Sequence, residues 1–328
     1  MRAVVVEKNG GPEVLKLMER ACPEPGKDEV LVEVKSTAVN RADVIQRKGF
    51  YPAPPGVAAD IPGLEFAGVV KECGEAVTDR KVGDRVFGLV PGGSYAEAVV
   101  VHSRTLARIP DNLSFEEAAA IPEAYTTAYD AMVVQGGLAA GEWLLIHALG
   151  SGVGVAALQI AGAIGARVIG TSRTKEKLEE ARALGLVHGV VCSEGAEFAE
   201  SVLSITGSGV NVVLELVGGP YLAEDLKCLA SQGRIVLVGL LAGRSLEVDL
   251  GMILRKRANI RGTTLRARPL EEKILAGRVL EENIVPLIES GKLKPSIDKV
   301  FPLAEAGEAH AYMESDGNFG KIILKVSD

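Results

Sequence analysis

Several chemistries are missing from these 328 residues. No apolar run approaches the roughly eighteen residues of a membrane-spanning helix. No block of lysine or arginine offers a nucleic-acid groove, and the net charge of −7 speaks to solubility. Residues 1–11 hold too short an apolar stretch for a secretory signal, so a cytoplasmic protein is expected. Cysteine is scarce. Cys22, Cys73, Cys192 and Cys228 lie far apart, which suits neither a disulfide framework nor a structural zinc site with closely spaced pairs. His102, His147, His188 and His310 are also scattered, and no His-Glu-x-x-His occurs. There is no Tyr-x-x-x-Lys, no Gly-x-Ser-x-Gly elbow, and no Gly-Lys followed by Ser or Thr as in a P-loop.

What is present falls into two parts. The first hundred or so residues read as short strands with turn punctuation, among them "RAVVVE", "EVLVEVKSTAV", "LEFAGVVKEC" and "SYAEAVVV". One helix, about 40–48, interrupts them and closes at Gly49. "YPAPPG" is too rich in proline for a helix or central strand and reads as a surface loop. At Ser114 the pattern changes, with Ser114 and Glu117 spaced as a capping box. From 143 to about 261, the strands "WLLIHA", "RVIGT", "GVVC", "NVVLEL" and "RIVLVG" alternate with helices near 153–165, 175–184, 196–205 and 220–231. A further helix is expected at 270–289. This is the grammar of a parallel, doubly wound α/β sheet. The last stretch reads strand, helix, strand and is too short to fold alone. The expected division is a β domain at 1–120, completed by 291–328, and a Rossmann domain at 121–290.

The stretch "HALGSGVG" links an apolar strand to a small-residue helix. Glycine lets the backbone turn tightly and approach a ligand, and the helix N-terminus offers amides and partial positive charge to a pyrophosphate. Gly150, Ser151, Gly152, Val153 and Gly154 are therefore expected to hold a dinucleotide, although Val155 stands where the strict Gly-x-Gly-x-x-Gly has its third glycine. An NAD site places Asp or Glu about twenty residues on, to bind the ribose 2′-hydroxyl. Here that place holds Ser172, followed by Arg173, Thr174 and Lys175. A hydroxyl with cations beside it would accept a 2′-phosphate through charge-assisted hydrogen bonds, so NADPH is expected over NADH. Against this, Thr174 also fits a plain helix N-cap with two solvated charges around it.

No acid, base or metal set is evident beside that cofactor site. An unactivated alcohol is hard to oxidise without one. A quinone, or an alkene conjugated to a carbonyl, carries its own electron sink and needs mainly alignment and a hydrogen bond to oxygen.

The segments "STAVNRADVIQRKGFYPAPPG", "IPGLEFAGVV", "VGDRVFGLV", "GGSYAEAVVV", "IPEAYTTAYDAM", "LLIHALGSGVG" and "NFGKIILKV" resemble, in order and over essentially the whole chain, the zeta-crystallin-like quinone oxidoreductases. These are zinc-free members of the medium-chain dehydrogenase/reductase superfamily. The resemblance implies a GroES-like β domain, a Rossmann domain, an active-site cleft between them and a homodimer. Zinc relatives carry Cys in the stretch that here contains Asn40, and His where this chain has Leu64. The likeness implies that Asn40 and Tyr51 border the substrate. Asn40, with Asp43 three residues on, also fits a helix N-cap, and the two roles are compatible. It further implies cofactor contacts from Tyr125, Thr127, Gly239, Leu240, Leu241 and Asn318. For Tyr125 and Thr127 helix packing is an equal alternative, and for Asn318 a turn. Cys192 departs from the aromatic that relatives often offer to adenine. The leading expectation is NADPH-dependent reduction of a small-molecule quinone or enone. An enoyl or 2-alkenal reductase and a non-catalytic NADPH-binding structural protein remain the alternatives.

Overall fold

The computed structural model describes residues 1–192 and 195–327. They form two compact units, Met1–Thr126 with Leu265–Asp328, and Thr127–Thr264. The boundary expected at 120/121 thus lies at 126/127, and residues 265–290 belong with the first unit. The reason is packing. The helix Leu270–Val279 lies against the short turn Ser103–Thr105 and the strand Leu106–Arg108. There Gly277 lets the backbones approach, since a Cβ would stand 2.6 Å from the carbonyl oxygen of Thr105.

In the first unit, one sheet runs Ile297–Pro302, Lys321–Lys325, Glu29–Val39, Glu65–Cys73, Arg85–Leu89, Leu106–Arg108, with Ala98–His102 also on Glu29–Val39. The central strand Glu29–Val39 alternates buried and half-buried residues until Ser36, then is buried on both sides. A register shift between Val34 and Ser36 marks the change. Two pairings fix what gathers at its C-terminal end. Thr37 pairs with Phe66 and Val39 with Ile322, both antiparallel. Asn40, Glu65 and Lys321, each one step away, therefore meet at one end of three adjacent strands. The C-terminal strand–helix–strand completes this unit, as expected. The helix Arg41–Arg47 begins after Asn40 and gives way to Gly49 at φ 84°. The Ser114 hydroxyl accepts from the Glu117 amide (3.1 Å), and the Glu117 carboxylate accepts from the Ser114 amide (2.8 Å).

The second unit is a six-stranded parallel sheet. Its strands Trp143–Ile146, Arg167–Ser172, His188–Val191, Val210–Glu215, Leu229–Leu237 and Asn259–Gly262 sit in the order 3-2-1-4-5-6. That order reverses between the first and fourth strands, where doubly wound sheets bind ligands. The edge strand Asn259–Gly262 and the helix Leu250–Lys256 before it escape a sequence pattern. "NIRG" has one apolar residue in four, and no residue of the helix is buried.

Candidate functional site

The strand ends of the first unit hold a closed polar network. The Lys321 ammonium donates to Glu65 Oε1 (2.7 Å), Asn40 Oδ1 (2.7 Å) and the Val39 carbonyl (3.3 Å). Asn40 Nδ2 donates to Glu65 Oε1 at 2.8 Å and to the Ala38 carbonyl at 3.4 Å. Glu65 Oε2 accepts the backbone N–H of Glu123 at 2.7 Å. All three side chains are buried. The Asn40 amide is thus committed on both its atoms. To hydrogen-bond an acceptor directly it would have to give up one of these partners, so in this arrangement it positions its neighbours. The helix-cap reading of Asn40 is realised through its backbone, whose N–H donates to Asp43 Oδ2 (2.8 Å).

Behind this network, Asp43 also accepts from the Gly63 amide (3.1 Å) and the Tyr95 hydroxyl (3.3 Å). Burial pushes its carboxyl up to about 6. The Tyr95 oxygen meets His310 Nε2 at 3.0 Å, and burial drives that imidazole down to about 3, so it is neutral.

Tyr51 is half-buried beneath Arg266, whose guanidinium carbon lies 4.9 Å from the ring centroid. Arg266 is itself buried and bonds the Pro91 carbonyl (2.6 Å), the Tyr51 carbonyl (3.2 Å) and Gln46 Oε1 (2.6 Å). It therefore fastens the proline-rich loop to the helix Arg41–Arg47. Burial raises the Tyr51 phenol above its ordinary value, so it stays protonated at neutral pH. A cavity of about 30 Å³ opens in the same unit, lined by Leu64, Leu89, Pro91, Glu123 and Arg266 among others.

In the second unit the glycine turn is built as the sequence suggests. Ser151 caps the helix Gly152–Ile164 by accepting from the Gly154 amide at 3.1 Å. A Cβ on Gly154 would stand 2.5 Å from the Leu149 carbonyl oxygen, so only glycine fits there. Among the described residues no hydrogen bond uses the amides of Gly152 and Val153, and both residues are half-buried rather than closed off. Two open amides at the start of a 13-residue helix suit a pyrophosphate. Ser172 ends its strand, with its hydroxyl accepting from the Thr174 amide (3.3 Å). Arg173 and Lys175 are exposed. Thr174 stands at the N-cap without a side-chain cap bond. These residues fit a nucleotide phosphate: no carboxylate occupies 172–175, and two hydroxyls and two cations do.

Beneath the turn lies a grouping that no local spacing announces. His147 Nε2 is 2.8 Å from Asp225 Oδ1 and 3.9 Å from Glu215 Oε2, and Nδ1 is 2.8 Å from the Thr171 hydroxyl. All three ionisable side chains are wholly buried, with Phe198 and Tyr221 packed on the imidazole. Their ligand atoms lie within 4.8 Å of one another, although the histidines look isolated in the sequence. Burial pushes both carboxyls up to about 7 and the imidazole down to about 4. A neutral ring with its proton on Nε2 donates to Asp225 and accepts from Thr171.

The other expected residues divide. Tyr125 is buried with its hydroxyl on the Lys294 carbonyl (2.8 Å), a packing arrangement within the first unit. Thr127 is buried in the second unit. Gly239 packs against the backbone of Leu216, and Leu240 and Leu241 are exposed on the loop after the fifth strand. Asn318 is buried and donates to the Gly320 carbonyl at 2.9 Å, as a turn residue does. Glu65, Glu123, Arg266 and Lys321 were not singled out by any motif. Their charge amid apolar neighbours is the only sequence trace they leave.

Comparison with known proteins then decides the family. Residues 26–111 match the model of the alcohol dehydrogenase GroES-like domain, and 152–279 that of zinc-binding dehydrogenases. A quinone oxidoreductase of Lama guanicoe is 34% identical over 328 residues, covering 99% of this chain and 97% of that protein. The chain belongs to the quinone oxidoreductases of the medium-chain dehydrogenase/reductase superfamily. Among solved structures, an Escherichia coli quinone oxidoreductase complexed with NADPH matches with TM-score 0.89 and 30% identity over 99% of this chain and 100% of that one. The CurK enoyl reductase matches with TM-score 0.87 and 28% identity over 99% and 98%. In this chain Asn40 is tied to an ammonium, and Leu64 is buried and apolar. No helix among the described residues is long and apolar enough to cross a membrane.

Proposed function

We propose that this enzyme uses NADPH to reduce quinones or alkenes conjugated to a carbonyl, without zinc. The observation that carries the reading is the Asn40–Glu65–Lys321 network. The oxygen atoms that would bind a metal are already engaged by an ammonium, whose charge repels a second cation. With no Lewis acid to polarise a saturated substrate, the acceptor must bring its own electrophilicity.

Held at the glycine turn, NADPH would supply a hydride. The open amides of Gly152 and Val153 face its pyrophosphate in this reading, and Ser172, Arg173 and Lys175 take its 2′-phosphate. On the acceptor side, Arg266 stiffens the Tyr51 loop and presents a protonated phenol as a hydrogen-bond donor. Lys321 and Glu65 hold Asn40 in one orientation.

We further infer a homodimer. Leu250 and Leu254, four apart on one helix, are 74% and 76% exposed, and the strand Asn259–Gly262 beside them is an open sheet edge. Such surfaces are ordinarily covered. Sedimentation equilibrium giving only monomer would reject this.

The functional test is NADPH oxidation, beside NADH, across ortho-quinones, para-quinones and alkenals. Charge-assisted contacts to the extra phosphate should favour NADPH about tenfold or more in kcat/KM. Equal rates would remove the role given to Ser172, Arg173 and Lys175. Efficient turnover of simple saturated alcohols would overturn the whole reading.

A further inference from the structure

Reducing such an acceptor leaves negative charge on its oxygen, and something must supply a proton. Asn40 has no spare donor. Asp43 is closed in by three hydrogen bonds, and His310 by Tyr95 and Arg47. One carboxyl of the first unit is placed differently. Glu123 stands in the first turn of the helix Pro122–Tyr129, fixed by the bond from its backbone N–H to Glu65 Oε2. Its side chain lines the cavity beside Leu64, Pro91 and Arg266, and among the described residues no hydrogen bond reaches its carboxyl. The Arg266 guanidinium, which could have paired with it, is turned onto Pro91, Tyr51 and Gln46. A volume of about 30 Å³ holds one or two waters, enough for a short relay.

Resting on the reductase reading above, we propose that Glu123 is the acid of the reaction, delivering its proton through cavity water to the oxygen of the reduced acceptor. The step balances. The acceptor gains a hydride at its β-carbon or ring, and its π electron pair moves onto the carbonyl oxygen. The O–H bond of Glu123 breaks as an O–H bond forms there. The carboxylate then recovers a proton from solvent when product leaves. Electrons come from NADPH, and the net proton from water.

The surroundings keep that acid loaded. Burial first, then the neighbouring Glu65 carboxylate, pushes the Glu123 carboxyl up to about 8. Asp43 acts in the same direction, and Lys321 and Arg266 oppose it. Arg268 and Lys273 also line the cavity, and Tyr51 lies beneath Arg266. Glu123 is therefore the carboxyl here that is both protonated at neutral pH and open to a cavity. General acid catalysis of this kind contributes about 10²–10⁴-fold.

The test compares kcat against pH, with saturating NADPH and one enone, for the wild type and Glu123→Gln. The wild type should lose activity as pH rises through about 8 and show a solvent deuterium effect. The variant should lose at least about 10²-fold and lack that limb. Glu123→Asp should restore part of the rate with a limb of its own. Infrared titration of the wild type, which needs no variant to fold, should show a carboxylic acid ionising near 8. Loss of less than about threefold in Glu123→Gln with the same limb, or no such infrared band, overturns the proposal while leaving the reductase reading standing. A wild type inactive on every quinone and enone overturns both.

Discussion

Each unit buries a cluster of ionisable side chains at the ends of its strands, and the two balance their carboxylates by different means. In the first unit Glu65 receives an ammonium, an amide and a backbone N–H, so that both of its oxygens are bonded. In the second, among the described residues, no lysine or arginine bonds Glu215 or Asp225. Glu215 Oε1 takes two backbone amides, from Val217 and Gly218, and Asp225 Oδ1 takes His147. Glu215 Oε2 and Asp225 Oδ2 are buried with no donor. Their ligand atoms lie within 4.8 Å of His147 and of one another, and burial holds both carboxyls up at about 7, so it is a proton rather than a cation that neutralises this pair. A charge balanced by lysine is fixed by covalent structure. A charge balanced by a proton depends on the solvent. The first unit thus neutralises its cluster with an ion pair, and the second carries a proton-dependent element next to the glycine turn.

Removing the lysine should break the comparison hardest. Lys321→Ala leaves Glu65 buried without its counter-charge, and such losses cost about 3–5 kcal/mol. Urea unfolding followed by circular dichroism measures it. Lys321→Met combined with Glu65→Gln should recover much of the loss, because the uncompensated charge goes with its partner. If Lys321→Ala costs under about 1 kcal/mol, the ammonium is not what neutralises Glu65.

The contrast between the clusters also marks where sequence stops being informative. The glycine turn, the Ser114–Glu117 capping box, the helix after Asn40 and the alternation of strands and helices depend on residues within a few positions of one another, and all are found in place. The glycine turn even displays the open amides that its pattern implies. Glu65 and Lys321 are 256 positions apart, and His147 and Asp225 are 78 apart. Lys321, the first of two lysines in "NFGKIILKV", looks like any solvated charge until strand pairing brings Val39 beside Ile322. Residues 265–290 fail for a related reason. An amphipathic helix announces that it will pack but not on which unit. Asn40 shows the reverse limit. Its place in a motif marked it out, but only the structure reveals that both ends of its amide are already occupied by Glu65 and Lys321.

The proton-balanced cluster supplies the subtler and final test. Folding raises both carboxyls to about 7 from ordinary values near 4, so these two groups bind more protons folded than unfolded across that window; His147, lowered to about 4, offsets one of them below about pH 6.5. Stability from this source is fully present below about pH 4 and is lost as pH rises through about 7, with a slope of up to about 1.4 kcal/mol per pH unit for each proton. Trp143, the chain's one tryptophan, begins the strand that leads to His147 and reports on this unit. Asp225→Asn keeps an oxygen for His147 and gives Glu215 a permanent donor, so it should flatten the slope by about one proton. Thr171→Val is the control. It removes the hydroxyl on His147 Nδ1 at a cost of about 1–3 kcal/mol, but threonine does not titrate. Its stability curve should therefore run below the wild type and parallel to it. Parallel curves for both variants would mean that no proton neutralises Glu215 and Asp225, and that the two clusters differ in composition but not in their response to pH.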